Sequence, residues 1–258
     1  AKEIWDLSSL KGINQFILLD FPGLGAADSG VRDTYLSLRE LKEVQTILLL
    51  QNCKQPGGNT ADQIRTMIEQ DKGEKLGDRI IVGLGRFNQL PLDAKDEQSI
   101  KDLIAASSLQ ELSEEMVLKS IPILQLAITS ARNLTTEKQN IVLLSQLYGL
   151  AQLTKLSSLV QVGTPEFLPE LDKANQQEEI NKREQWGQLS EMLPTNSLLK
   201  KQLSDFVVDG GIGRLRPLLT QHVAEHGVKQ LLEDTQTAAR ALRQELSLIH
   251  ISEPTRPY

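Results

Sequence analysis

The run Phe16-Ile17-Leu18-Leu19-Asp20-Phe21-Pro22-Gly23-Leu24-Gly25 decides the fold. Large apolar residues in unbroken succession, Phe16 to Leu19, read as a buried strand of the kind parallel sheets contain. The strand delivers Asp20 and then turns sharply at Pro22 and Gly23. An acid at the carboxyl end of a buried strand stands where open α/β sheets receive their ligands. The Gly-rich loop behind it leaves backbone N–H groups free to approach a phosphate. Taken alone, the same letters also describe a buried strand ending in an ordinary Pro-Gly turn.

Working outward, the alternation continues. Val31 to Val44 reads as a helix, Thr46 to Asn52 as a second buried strand, and Thr60 to Asp71 as another helix. Arg79 to Leu84 is a third strand, Ser99 to Ala106 a helix, and Ser113 to Arg132 a helix with a boundary or kink at Pro122. Ile141 to Leu144 is a fourth strand. Strands alternating with helices predict an α/β fold, a parallel sheet with both faces covered. From Tyr148 onward the strand signals stop. Lys173 to Met192, rich in Gln and Glu, predicts a mostly solvated helix broken at Pro194. Asp209 to Gly213 predicts a hinge-like turn. Beyond it, Leu215, Leu218, Leu219, Val223, Leu231, Leu232, Ala238 and Leu242 form one apolar stripe along a long helix, Arg214 to Glu245.

The Asp20-Phe21-Pro22-Gly23 tetrapeptide resembles the Asp-x-x-Gly motif of GTPases, in the Asp-x-Pro-Gly form of the dynamin superfamily. The resemblance to bacterial dynamin-like proteins runs from Asp20 to about Glu245 and is best at Phe16–Gly25, at Gly85 to Asp93 and at Gly211 to Leu215. It implies a P-loop NTPase-type parallel sheet flanked by helices, and hydrolysis of GTP with Mg²⁺. In such proteins Asp20 would hold the Mg²⁺ through water and the Gly23 N–H would meet the γ-phosphate. Residues 1–208 would be a partial GTPase domain and residues 209–245 the start of a helical bundle or stalk. Attack of water on the γ-phosphate would proceed through positioning and electrostatics. A homodimer or oligomer formed through the nucleotide face, where Gln55 to Asn59 would lie, would complete the site. Membrane remodelling would rest on regions outside this chain.

The family reads its base with Asn/Thr-Lys-x-Asp after the next strand but one, and Gly85-Arg86-Phe87-Asn88 occupies that place. Arg86 can supply the aliphatic stem that packs along the base. Asn88 departs from the family, because a carboxamide offers one acceptor and one donor where a carboxylate offers two acceptors. That pattern suits xanthine, so XTP stands beside GTP as the expected nucleotide; a strand-to-loop turn without base contact is the plain alternative. The last family motif corresponds to Ser145 and Gln146, after the fourth strand; Ser130-Ala131-Arg132 matches better in letters but lies inside a helical pattern. Gly-x-x-x-x-Gly-Lys-Ser/Thr is absent from the chain. The strand that carries it would be central in the family's sheet, and its loss would leave unpaired edges inside that sheet, predicting poor expression or aggregation.

A different chemistry is written in His222-Val223-Ala224-Glu225-His226, which fits the His-x-x-Glu-His zinc-protease pattern and would align two imidazoles one helical turn apart. A third ligand is wanting and nothing upstream resembles a protease; two half-exposed helix histidines are the ordinary explanation. Gly83-x-Gly85 and Gly211-x-Gly213 do not complete a dinucleotide fingerprint. A catalytically inactive GTPase-fold interaction module is the remaining alternative.

Composition sets the outer bounds. The 258 residues can bury one good-sized core or two small ones. A net charge of −6 argues against nucleic acid or a polybasic membrane surface as main partner. The single cysteine, Cys53, excludes an internal disulfide framework and reads as a plain buried thiol in a reducing compartment. No apolar run is long enough to span a bilayer and no signal peptide is read, so the expectation is a cytoplasmic protein, peripheral at a membrane if the resemblance holds. Residues 246–256 resemble the translation of a transposase-type sequencing adapter, so residues 246–258 are set apart from fold and function and the chain is read as a gene fragment.

Overall fold

Among the described residues three parallel strands, β1 (Ile47–Asn52), β2 (Ile80–Gly85) and β3 (Ile141–Leu143), form a sheet in the order β1-β2-β3. The computed structural model describes residues 44, 46–55, 66, 76–106, 112–149 and 176–252. The strand expected at Phe16–Leu19, the Asp20–Gly23 loop and most of the helices expected over 31–44 and 60–71 lie outside the described residues. Ile47 pairs with Ile80 and Val82 with Ile141, so Asn52 stands level with Gly85, and Leu143 with Leu84, at the carboxyl edge. The α/β class and the parallel sheet follow the sequence reading.

Alternation along β2 and β3 sends side chains to two different layers. Ile80, Val82, Leu84, Ile141 and Leu143 face the main core; Ile81, Val142 and Leu144 face the other way. The main core is closed by α1 (Ala94–Ala106), α2 (Glu114–Ser120), α3 (Pro122–Arg132), α4 (Gln177–Glu191) and α5 (Leu198–Asp209). Each fully buried Leu, Ile, Val or Phe there stabilises the fold by roughly 1.5–3 kcal/mol. Phe87 and Phe206 meet edge to face with ring centroids 4.9 Å apart, Phe87 lies 5.4 Å from Trp186, and Tyr148 lies 5.1 Å from Phe206. Such pairs add about 0.5–1.5 kcal/mol each beyond burial.

Several boundaries move for identifiable reasons. α1 begins at Ala94 rather than Ser99 because Asp93 and Asp96 cap each other: Asp96 N–H donates to Asp93 Oδ1 at 2.7 Å and Asp93 N–H to Asp96 Oδ2 at 3.2 Å. The boundary at Pro122 is real and separates α2 from α3, with Pro122 in the first turn where its missing N–H costs nothing. α4, expected to be mostly solvated, buries Trp186, Leu189 and Ser190. Its Arg183 donates to the carbonyls of Val207 and Val208, capping the end of α5.

The long helix is not one uniform element. α6 (Ile212–His222) runs into a π turn (Val223–Gly227), and α7 (Val228–Ser252) follows. Leu215, Leu218 and Leu219 of α6 pack on Ile81, Val142 and Leu144, so this stretch covers the second sheet face rather than leaving it. Leu242 is 59 % exposed and Leu232 and Leu246 are exposed like it, so past the π turn the apolar stripe stands open at these described positions. Helix continues beyond Glu245 through residues 246–252, past its expected end. Among the described residues no helix is long and apolar enough to cross a membrane.

Candidate functional site

The carboxyl ends of β2 and β3 carry the residues singled out in the sequence. β2 ends at Gly85, and Arg86 then adopts φ 57° and ψ 35°, the left-handed region. Among the described residues it is the one non-glycine with positive φ. A bulky residue there costs on the order of 1–2 kcal/mol, and such outliers gather at functional sites and ligand clamps. The bend leaves Arg86 exposed and turns Phe87 and Asn88 inward as a single 3₁₀ turn, Phe87–Gln89. Leu144 N–H donates to Leu84 O at 2.9 Å and Phe87 N–H to Leu144 O at 3.0 Å, so strand-like pairing carries on into both loops.

Asn88 and Ser145 meet at this point. Ser145 Oγ donates to Asn88 Oδ1 at 2.9 Å, with Ser145 fully buried and Asn88 nearly so. The same hydroxyl accepts from Tyr148 N–H at 3.3 Å, and its own proton goes to the carboxamide oxygen of Asn88. Gln146 is exposed at the start of the helical turn that follows. The sequence-predicted residues Gly85, Arg86, Asn88, Ser145 and Gln146 thus form one crest. Asp20, Phe21, Pro22 and Gly23, and with them the expected Mg²⁺ position, lie outside the described residues.

Two features escaped sequence reasoning. A cavity of about 90 Å³ lies behind Asn88, lined by Phe87, Leu90, Pro91, Leu92, Glu97, Lys182 and Trp186. It has room for several waters, and it depends on α4 reaching back to the loop, a contact no local pattern announces. The other is the clamp under Ser145. Ser145 N–H donates to Gly210 O at 3.0 Å, and Gly210 and Gly211 have φ 70° and 78°. A Cβ on Gly210 would collide with the carbonyl of Ser145, and one on Gly211 with the carbonyl of Leu143. The paired glycines were legible as a turn; their backbone contact with the site was not.

The remaining candidates settle as follows. Cys53 is fully buried and burial pushes its thiol up to about 12, so it is inert at neutral pH. His222 is buried rather than half-exposed, its Nδ1 has no partner, and its ring centroid lies 4.7 Å from that of His226. Burial first, and then the neighbouring His226, lower its pKa to about 4, against an opposing pull from Glu225. Among the described residues no group of three or more His, Cys, Asp or Glu side chains is placed to hold a metal ion, so a protease-like zinc centre has no support there.

No protein-family model, no curated protein and no solved structure matches the chain.

Proposed function

We propose that the chain is the larger part of a dynamin-like GTPase domain, of P-loop NTPase type, followed by the first helix of a bundle. The observation that carries this reading is the Asn88–Ser145 hydrogen bond at the carboxyl ends of adjacent parallel strands, the edge where open α/β sheets receive ligands. The strained, exposed Arg86 beside it supports the same reading. In it, Asn88 reads the base, Arg86 packs along it, Ser145 and Gln146 close its far side, and Asp20 holds Mg²⁺ through water.

The carboxamide's orientation bears on the base. With Oδ1 engaged by Ser145, Asn88 offers the N–H groups of Nδ2. These match a carbonyl at the purine 2-position and not an amine, which favours XTP over GTP. A polar mismatch of this kind can cost roughly 10⁴ or more in discrimination. Self-assembly through the nucleotide face and membrane remodelling through regions outside the chain belong to the same proposal.

A second reading, a catalytically inactive GTPase-fold interaction module, is favoured by one fact: Asn88 is 8 % exposed, as a purely structural amide would be.

The test begins with the gene upstream of Ala1. An in-frame Gly-x-x-x-x-Gly-Lys-Ser/Thr supports the GTPase reading; a start codon directly before Ala1 sinks it. The whole gene product is then titrated with fluorescent GDP and XDP. XDP should bind more tightly, and Asn88→Asp should reverse the order. Absence of binding to either nucleotide moves the assignment to the interaction module.

A further inference from the structure

The π turn between α6 and α7 belongs to neither reading of the crest. A π turn inserts one residue into the helical ladder and commonly marks a functional position. Here it spans Val223–Gly227 and holds the second half of the His-x-x-Glu-His run. His222 and His226 stand with ring centroids 4.7 Å apart and planes inclined at 47°. His222 is 3 % exposed, and its Nδ1 finds no hydrogen-bond partner in the interior. Buried polar atoms are nearly always paired, so a lone one asks for an explanation.

The chemistry of the pair points one way. An imidazole nitrogen without a hydrogen-bond partner is free to offer its lone pair to a metal ion. Two imidazoles one turn apart suit Zn²⁺ and the other late first-row divalent ions, which bind through unprotonated ring nitrogens. The Glu225 carboxylate, held by Gln221 Nε2 at 2.8 Å, adds negative charge nearby. Zn²⁺ takes four ligands, so with two imidazoles the remaining positions would go to water.

We propose that the π turn is an open two-histidine site for Zn²⁺, held by His222 and His226 with water completing the coordination. It requires no protease activity and does not depend on the GTPase proposal.

Calorimetric titration of the full chain with Zn²⁺ near neutral pH tests it. About one equivalent should bind with the signature of imidazole ligation, and bound Co²⁺ should show the matching absorption. Even outer-shell partners of a metal ligand cost roughly 10–100-fold in affinity when removed, so His226→Ala should weaken binding by at least about tenfold. His226 is only half-buried, which makes this variant less prone to misfold than His222→Asn, where the same loss is expected. The chain's other histidine, His250, and Cys53 supply controls: His250→Ala and Cys53→Ser should leave the titration unchanged. Undiminished binding in His226→Ala overturns the proposal, as does loss of binding in His250→Ala or failure of the folded wild-type chain to take up Zn²⁺.

Discussion

Ser145 and Asn88, 57 residues apart in the chain, share a buried 2.9 Å hydrogen bond that ties the loop after β3 to the loop after β2. Each partner satisfies an atom the other would otherwise strand. Ser145→Ala removes the donor and leaves Asn88 Oδ1 with nothing, an imbalance that costs about 1–3 kcal/mol. Urea unfolding should show that loss as a lowered midpoint with an unchanged slope. The double variant Ser145→Ala/Asn88→Ala should lose less than the sum of the two single variants.

Gly210→Ala should be among the most damaging small changes in the chain. The backbone at φ 70° disfavours any Cβ by roughly 1–2 kcal/mol, and this Cβ would also meet the Ser145 carbonyl and the Gly149 nitrogen. A thermal melt should fall by more than the strain alone predicts. If the drop matches that of a solvent-exposed left-handed glycine, the clamp is weaker than its geometry implies.

Glu114 ties three helices together. Its carboxylate takes the guanidinium of Arg132 at the end of α3, and the Leu199 N–H and Ser197 hydroxyl at the start of α5. Burial raises its pKa, but these donors and the Arg132 charge outweigh that and leave it below the ordinary value. A depressed folded pKa stabilises above the unfolded value and loses that stability as pH falls through the folded one. Glu114→Gln should therefore cost about 1–2 kcal/mol near neutral pH, the lower part of the range being favoured because the side chain is 24 % exposed. The difference from wild type should close on acidification below pH ~4. A difference independent of pH in chemical-denaturation series would contradict the assignment.

Cys53 offers a probe of global opening. Its thiol is buried and pushed up to about 12, so iodoacetamide should label it only through unfolding. Labelling rates should follow the unfolded fraction across a urea series, and rapid labelling of the native protein would show that the end of β1 opens locally.

What could be read in the sequence was what is local. The apolar runs at Ile80–Leu84 and Ile141–Leu143 announced strands because burial on both faces demands unbroken hydrophobicity. Pro122 announced a boundary because a proline inside a helix loses a ladder hydrogen bond and clashes with the preceding turn. Trp186 went unremarked because one large side chain among Gln and Glu scarcely alters a periodic pattern, yet it fills a main-core position against Phe87. The crest was legible as separate residues, Asn88 and Ser145. Their union was not, because it arises from parallel pairing of β2 with β3 and from a clamp at Gly210 that no spacing encodes.

The double-glycine turn has a mechanical meaning. At Gly210 and Gly211 the root of α6 meets the carbonyls of Ser145 and Leu143 backbone to backbone, so at these two points no rotamer change can absorb a displacement. α6, packed on the second sheet face, continues that rigid contact to the π turn, beyond which α7 runs on the order of 38 Å. Backbone contact at the root and apolar packing along α6 join the Ser145 loop and the second sheet face into one stiff unit, so a shift of the loop is carried into α6 undamped.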